Sequence, residues 1–209
     1  VPPNVSDRRG PEETRARILE VAWDLFRQLG ARTTIADVAD KLGMSSANIY
    51  RFYASRQALC EAICASQLGA MTARAREIAE EKRSASARIR AILIMLHHAM
   101  RDQMLNESRV HEIVDIAIRE SWPSIDAFQT ETAAIVAELV AEGQARGEFA
   151  AGDPFRLAAH TLCACVAVQH PNLIAHKMEA SLALPAEAVV DFALRALAHP
   201  EPFPPSEGV

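Results

Sequence analysis

"KLGMSSANIYRFYASR" (residues 41–56) is the stretch whose reading decides the fold. A glycine, two serines and an asparagine lead into a short run in which Ile49 and Phe52 alternate with polar side chains. A helix this short is marginal in water by itself, so packing or a partner must hold it. Working backwards, Thr34 stands before Ile35, Val38, Ala39 and Leu42, with Asp37 at the capping-box position and Gly43 as the stop. Working forwards, the short helix spans about 45–52, and Ser55 caps a long helix over about 56–83. Val38, Leu42, Met44, Ile49 and Phe52 then supply buried positions, Ala39 is small where two helices cross, and Gly43 sits where the turn needs a positive φ. The pattern is a helix-turn-helix. Its second helix, ~12 Å long at ~1.5 Å per residue, is commensurate with the ~12 Å major groove of DNA.

The residues left over from packing are those suited to touching DNA. Ser46, Ala47, Asn48 and Arg51 lie toward the open side of the short helix. Asn pairs with adenine, Arg with guanine or a phosphate, and Ala with a thymine methyl. Thr34 and Ser45 stand at helix N-termini, where hydroxyl and N–H groups suit a phosphate, although plain capping explains both equally well. Tyr50 and Arg56 are further backbone clamps, with Tyr50 also readable as a core aromatic whose hydroxyl reaches the surface.

The rest of the chain frames this head. At 209 residues, half of them apolar, there is ample material for a core. Proline is absent between Pro11 and Pro123, and Ala, Leu, Arg and Glu dominate without strand-like alternation, so the expected class is all-α. Ile18, Val21, Ala22, Leu25, Phe26 and Leu29 mark a first helix that starts at Pro11-Glu12-Glu13 and stops at Gly30. Later helices are expected at about 86–104, 107–121, 124–146, 154–177 and 185–198, with Gly143 and Gly147 closing one and Asp153-Pro154 opening another. The reading divides the chain into residues 1–57 (helix-turn-helix and N-terminal arm), 58–198 (helical bundle) and a proline-rich flexible tail at 199–209.

The net charge of −5 conceals an asymmetry: residues 1–57 carry 9 Lys and Arg against 7 Asp and Glu, and the remainder is strongly acidic. An anionic partner is therefore steered to the N-terminal quarter. The apolar runs "AILIML" (91–96) and "LCACVAV" (162–168) are too short to span a bilayer, and no basic-then-apolar leader is visible, which reads as cytoplasmic. Cys60, Cys64, Cys163 and Cys165 lie in helical text and suit reduced thiols rather than a disulfide framework.

The run "TTIADVADKLGMSSANIYRFYASRQALCEAI" (33–63) resembles the DNA-binding segment of the tetracycline-repressor-like (TetR) regulators. The match extends over about residues 14–64, through Thr34, Val38-Ala39, Gly43-Met44-Ser45, Ile49-Tyr50, Phe52-Tyr53, Ser55-Arg56 and Leu59. Arg56 replaces the family's usual Lys, and Phe52-Tyr53 inverts the commoner aromatic order. The resemblance implies that Thr34, Ser45, Tyr50 and Arg56 contact phosphate and that Ser46, Ala47 and Asn48 read bases. It further implies a homodimer on a palindromic operator, a small and mainly apolar effector, and repression rather than activation.

For the bundle, the resemblance places a dimer interface on the last two long helices. Leu157, Thr161, Ala164 and Val168 form one stripe there, and Val189, Phe192, Ala193 and Ala196 another; the same stripes also suit an intramolecular core. Candidate effector contacts are His97, Met100, Met104, His111, Trp122, Phe128, His160 and Cys163, with His98 and Gln169 nearby in the same text. Arg156, His160, Cys163, Ala167 and His170 recur at steps of three and four, as a polar seam inside the bundle would. A lone helical histidine is nonetheless usually a packing residue. The sequence offers no nucleophile elbow, phosphate loop or Cys/His metal spacing, so neither catalytic nor metal-binding residues are assigned and no cofactor is implied.

Overall fold

The computed structural model describes residues 10–106, 108–178 and 185–199, with side chains at 10–103, 112–174 and 185–199. The expectations for Met104 and His111, and for the tail beyond residue 199, lie outside the described side chains. The described chain is helical: α1 (Pro11–Leu29), a 3-10 turn (Gly30–Arg32), α2 (Ile35–Leu42), α3 (Ser46–Tyr50), α4 (Arg56–Ala79), α5 (Ala85–Asn106), α6 (Ser108–Arg119), α7 (Pro123–Ala145), α8 (Pro154–Gln169), α9 (Pro171–Met178) and α10 (Ala186–Ala198). No strand occurs among the described residues. The backbone divides into two compact units, residues 1–67 with 107–124, and residues 68–106 with 125–209.

The first unit is built on α1, α2 and α3. Proline at the first position of α1 and Glu12 and Glu13 in its first turn suit a helix start, and Gly30 (φ 63°) ends it. In α2 the capping box is complete: Asp37 N–H donates to Thr34 Oγ1 at 3.2 Å, and Thr34 N–H donates to Asp37 Oδ2 at 2.8 Å. Its far end is a Schellman motif. Gly43, left-handed at φ 65°, donates to Asp40 O at 3.1 Å, and Met44 N–H reaches Ala39 O at 2.9 Å. Ile18, Ala22, Phe26, Val38, Ala39 and Ile49 are buried, whereas Leu42, Met44 and Phe52 are only partly so. Of the adjacent pair Phe52-Tyr53 the buried ring is Tyr53, whose hydroxyl donates to Arg15 O at 3.3 Å while the Arg15 guanidinium lies 4.9 Å from its ring centre. The inverted Phe-Tyr order therefore has a reason: the inner ring is the one whose hydroxyl finds an acceptor. The unit extends beyond residue 57 and includes α6, which packs on α1 and on the 3-10 turn.

The second unit has its own core, including Ile89, Ile92, Leu93, Ile135, Val136, Val140, Cys165 and Val190, and α10 packs on α5 and α8. Polar side chains tie the helix ends. Arg88, 5% exposed, donates to Ala79 O at the end of α4 (2.7 Å) and to Glu142 on α7. Glu148 accepts from the amides of Ala85 and Ser86 at the start of α5 (3.1 and 3.0 Å), satisfying donors that the helix itself leaves open.

Two expectations are corrected here. The helix over 154–177 is interrupted: His170 takes an extended conformation (ψ 124°) because Pro171 follows it, and a new helix starts at that proline. Gly143 is not a stop but lies inside α7, where a β-carbon would meet the Phe149 ring at 2.2 Å; the positive-φ glycine that follows the helix is Gly147. Gly143→Ala is therefore expected to destabilise the protein by ~1–3 kcal/mol despite the better helix propensity of alanine, since Phe149 is buried and has little room to yield. Thermal unfolding of the variant checks it, and an unchanged or higher midpoint would count against this packing.

Candidate functional site

Ser45 caps α3 by accepting from Asn48 N–H at 3.2 Å, which leaves its own hydroxyl proton for an external acceptor. Ile49 is fully buried and anchors the helix from below. Around it, Ser45, Ala47, Tyr50 and Arg51 are exposed, and Ser46 and Asn48 partly so. Tyr50 is 50% exposed and is not the core aromatic of this unit. The regular part of α3 is only five residues, ~8 Å long, and its outward face carries a hydroxyl, an amide, a phenol and a guanidinium. This is a set of hydrogen-bonding groups matched to base edges and phosphates.

Thr34 and Arg56 have other tasks within the chain. The Thr34 hydroxyl donates to Asp37 Oδ2 at 2.7 Å, so its proton is already committed. These hydrogen bonds from Thr34 hold the Asp37 carboxyl below the usual carboxylate range. Arg56 donates from Nε to Thr33 O and from Nη2 to Ala31 O, both at 2.7 Å, and its guanidinium lies 5.4 Å from the centre of the Phe26 ring. Exposed Arg32 and Lys41 flank the same unit and were absent from the sequence-derived set; the basic residue in the last turn of α2 was the available signal.

The bundle candidates separate. Trp122 is buried in the first unit, where its Nε1–H donates to Glu120 Oε2 at 2.9 Å. In the second unit Met100 is buried, Phe128 packs against the core, and His97 Nδ1 lies 2.6 Å from Val168 O near the end of α8. Of the expected polar seam, Arg156, His160 and Cys163 are exposed on α8 whereas Ala167 and His170 are partly buried; the buried face of the helix is Ala158, Thr161, Cys165 and Val168. The expected dimer stripes shift with the same helical phase. Thr161, Val168 and Ala193 are buried within the protomer, Leu157 and Val189 are partly buried against its core, and Ala164, Ala196 and Phe192 (67%) remain exposed. Phe155 and Val166, outside those stripes, are also exposed on α8. The atoms Thr132 Oγ1, Gln169 Nε2 and His170 Nδ1 are buried without a hydrogen-bond partner among the described residues.

Among the described residues no three His, Cys, Asp or Glu side chains converge as metal ligands would, and no helix is long and apolar enough to cross a membrane.

The fold and this outward face define a helix-turn-helix regulator. Residues 18–63 match the family of bacterial regulatory proteins, tetR family, and residues 85–190, about half of the chain, match the tetracyclin repressor-like C-terminal domain. The chain belongs to the TetR family of transcriptional regulators. It is 32% identical over 127 residues to the uncharacterized HTH-type transcriptional regulator YvaF of Bacillus subtilis (strain 168), covering 60% of this chain and 65% of that protein. It is 28% identical over 100 residues to the HTH-type transcriptional repressor KstR2 of Rhodococcus jostii (strain RHA1), covering 47% and 49%. The matched part thus spans about half to two-thirds of the curated relatives. A TetR/AcrR-family regulator from Thermobifida fusca YX-ER1 has a similar fold, with TM-score 0.59, 26% identity, and coverage of 88% of this chain and 96% of that one.

The thiols carry a prediction of their own. Burial pushes Cys60 up, Cys64 to about 12 and Cys165 to about 11, so at pH 8 all three are less ionised than a free cysteine, Cys64 and Cys165 far less so. Iodoacetamide is expected to leave these three unmodified in the native protein and to label them once it is denatured, as read by mass spectrometry. Rapid native labelling at Cys60 and Cys64 would show that these thiols are accessible and reactive in the folded protein.

Proposed function

We propose that this chain is a repressor that binds a palindromic operator as a homodimer and releases it on binding a small, mainly apolar effector. The observation that carries the reading is the division within α3: Ile49 is fully buried while Ser45, Ala47, Tyr50 and Arg51 face outward, with Ser46 and Asn48 at the margin. In this reading Ser46, Ala47 and Asn48 read bases, and Ser45, Tyr50 and Arg51 hold the backbone, with Thr34 at the neighbouring helix start. The sign of regulation rests on likeness to a relative described as a repressor.

Two features support the remaining parts. Phe155 and Val166 on α8 and Phe192 on α10 are large exposed apolar side chains, as an interface with a second copy requires. In the second unit, Met100 is buried and Phe128 packs against the core, while Thr132, Gln169 and His170 hold buried polar atoms that a ligand admitted among them would satisfy. Dimer heads matched to half-sites one helical turn (~34 Å) apart lose affinity when an effector favours another spacing.

Selection of random duplexes on the purified protein at two salt concentrations tests the reading. A palindromic consensus whose affinity falls steeply with salt is expected. No enrichment at low salt would remove the operator reading. On the selected duplex, Tyr50→Ala should weaken binding to all sequences alike, whereas Asn48→Ala should change the preference among them. Equal, sequence-blind losses for both would remove Asn48 as a reader. Phe192→Glu should give a folded monomer in analytical ultracentrifugation with lost operator affinity; an unchanged dimer would place the interface elsewhere.

A further inference from the structure

We propose that Arg56 serves operator binding as a positioning residue: it fixes the segment from Gly30 to Thr34 that aims the start of α2, and its charge is not its contribution. The inference rests on the operator reading above. Arg56 is the first residue of α4, yet its side chain crosses to the 3-10 turn and donates from two nitrogens of the same planar group to Thr33 O and Ala31 O, each at 2.7 Å. Those carbonyls lie where the chain leaves helical geometry, so they need donors from elsewhere. The guanidinium also covers Phe26, near the end of α1. Thr33, only 1% exposed, is tied independently by its hydroxyl to Leu25 O at 3.2 Å. One residue later comes Thr34, whose capping box starts α2. A single side chain therefore joins the end of α1, the start of α2 and the start of α4.

This geometry separates two roles that the sequence alone leaves merged. A phosphate clamp needs a positive charge at the DNA surface, which lysine supplies as well as arginine. Holding two carbonyls two residues apart needs a rigid fork of donors, which lysine lacks. Arg56→Lys is therefore the decisive variant, since it keeps the charge and removes the fork.

The experiment measures the affinity of the full chain for the duplex enriched from random DNA, across a salt series, at a temperature where circular dichroism shows wild type and variant both folded. Arg56→Lys is expected to bind about tenfold more weakly, the scale of a lost charge-assisted hydrogen bond, with the slope of log affinity against log salt unchanged. Thr33→Val, which loosens the same segment without touching any charge, is expected to weaken binding in the same direction at the same slope, and it carries the test alone if the lysine variant does not fold. Lysine binding as tightly as arginine would overturn the inference, because charge would then suffice. A lower unfolding temperature with unchanged affinity of the folded protein would also overturn it, leaving Arg56 merely structural. In Arg56→Gln, which removes the charge, a loss accompanied by a slope reduced by about 0.9 would restore the phosphate contact and overturn it as well. A wild-type chain that binds neither the enriched nor a random-sequence duplex would remove the operator reading and this inference with it.

Discussion

The burial of Ile49 is the constraint on which the helix-turn-helix depends. A helix of five residues cannot repay its own nucleation, and burying one isoleucine side chain contributes only ~2–3 kcal/mol. The helix persists because each of its boundaries is fixed from outside the helical hydrogen-bond ladder. Ser45 caps its start, the Gly43 turn sets its departure from α2, and the Ile49 carbonyl accepts from both Phe52 and Tyr53 at its end. Tyr53 then carries the fixation back to α1 through Arg15. What faces outward on α3 is free to be chosen for recognition because what faces inward is so heavily determined.

That same heaviness made this region legible in the sequence. Caps, the left-handed glycine and the apolar spacing are local signals, and they located α1, α2, α3 and the start of α4 closely. What local signals did not decide was which of two adjacent aromatics turns inward. Phe52 and Tyr53 differ in position by one residue, and the choice was set by the reach of the Tyr53 hydroxyl to Arg15 O, a contact 38 residues away in sequence. Arg56 is a similar case: its charge is visible in the text, but its engagement with Ala31 and Thr33 is a tertiary fact.

The bundle was less legible for a different reason. In α8 the apolar residues run almost all round the helix, so periodicity defines no single buried face, and the phase that wins, Ala158, Thr161, Cys165 and Val168, is set by packing in the second unit. A stripe read one or two residues out of phase exchanges inside for outside, which is why Thr161 and Val168 are buried in the protomer while Cys163 and Val166 are exposed. Gly143 shows the converse. As a residue type it signals a helix end, but its lack of a side chain is used here to admit the Phe149 ring against α7.

In both units most of the arginines near the core serve internal contacts. The second is acidic in sequence, and its charged residues near the core are used in pairs: Arg88 with Glu142, which Arg146 also meets at 2.8 Å, and Arg90 with Asp191 between α5 and α10. Glu142 and Asp191 are held below the usual carboxylate range by those arginines, so they stay ionised and the pairs persist through neutral pH. The exposed Arg90–Asp191 pair contributes little to stability, whereas buried Arg88 would be left an uncompensated charge without its partners, and each pair ties one helix to another. In the first unit, Arg15 and Arg56 are likewise turned to internal purposes, over Tyr53 and across the 3-10 turn, whereas Arg51 remains exposed on α3. A count of cations in the N-terminal quarter thus overstates the charge available for a phosphate backbone. Under the proposed operator reading, specificity in such a head depends more on how accurately α2 and α3 are aimed than on net charge.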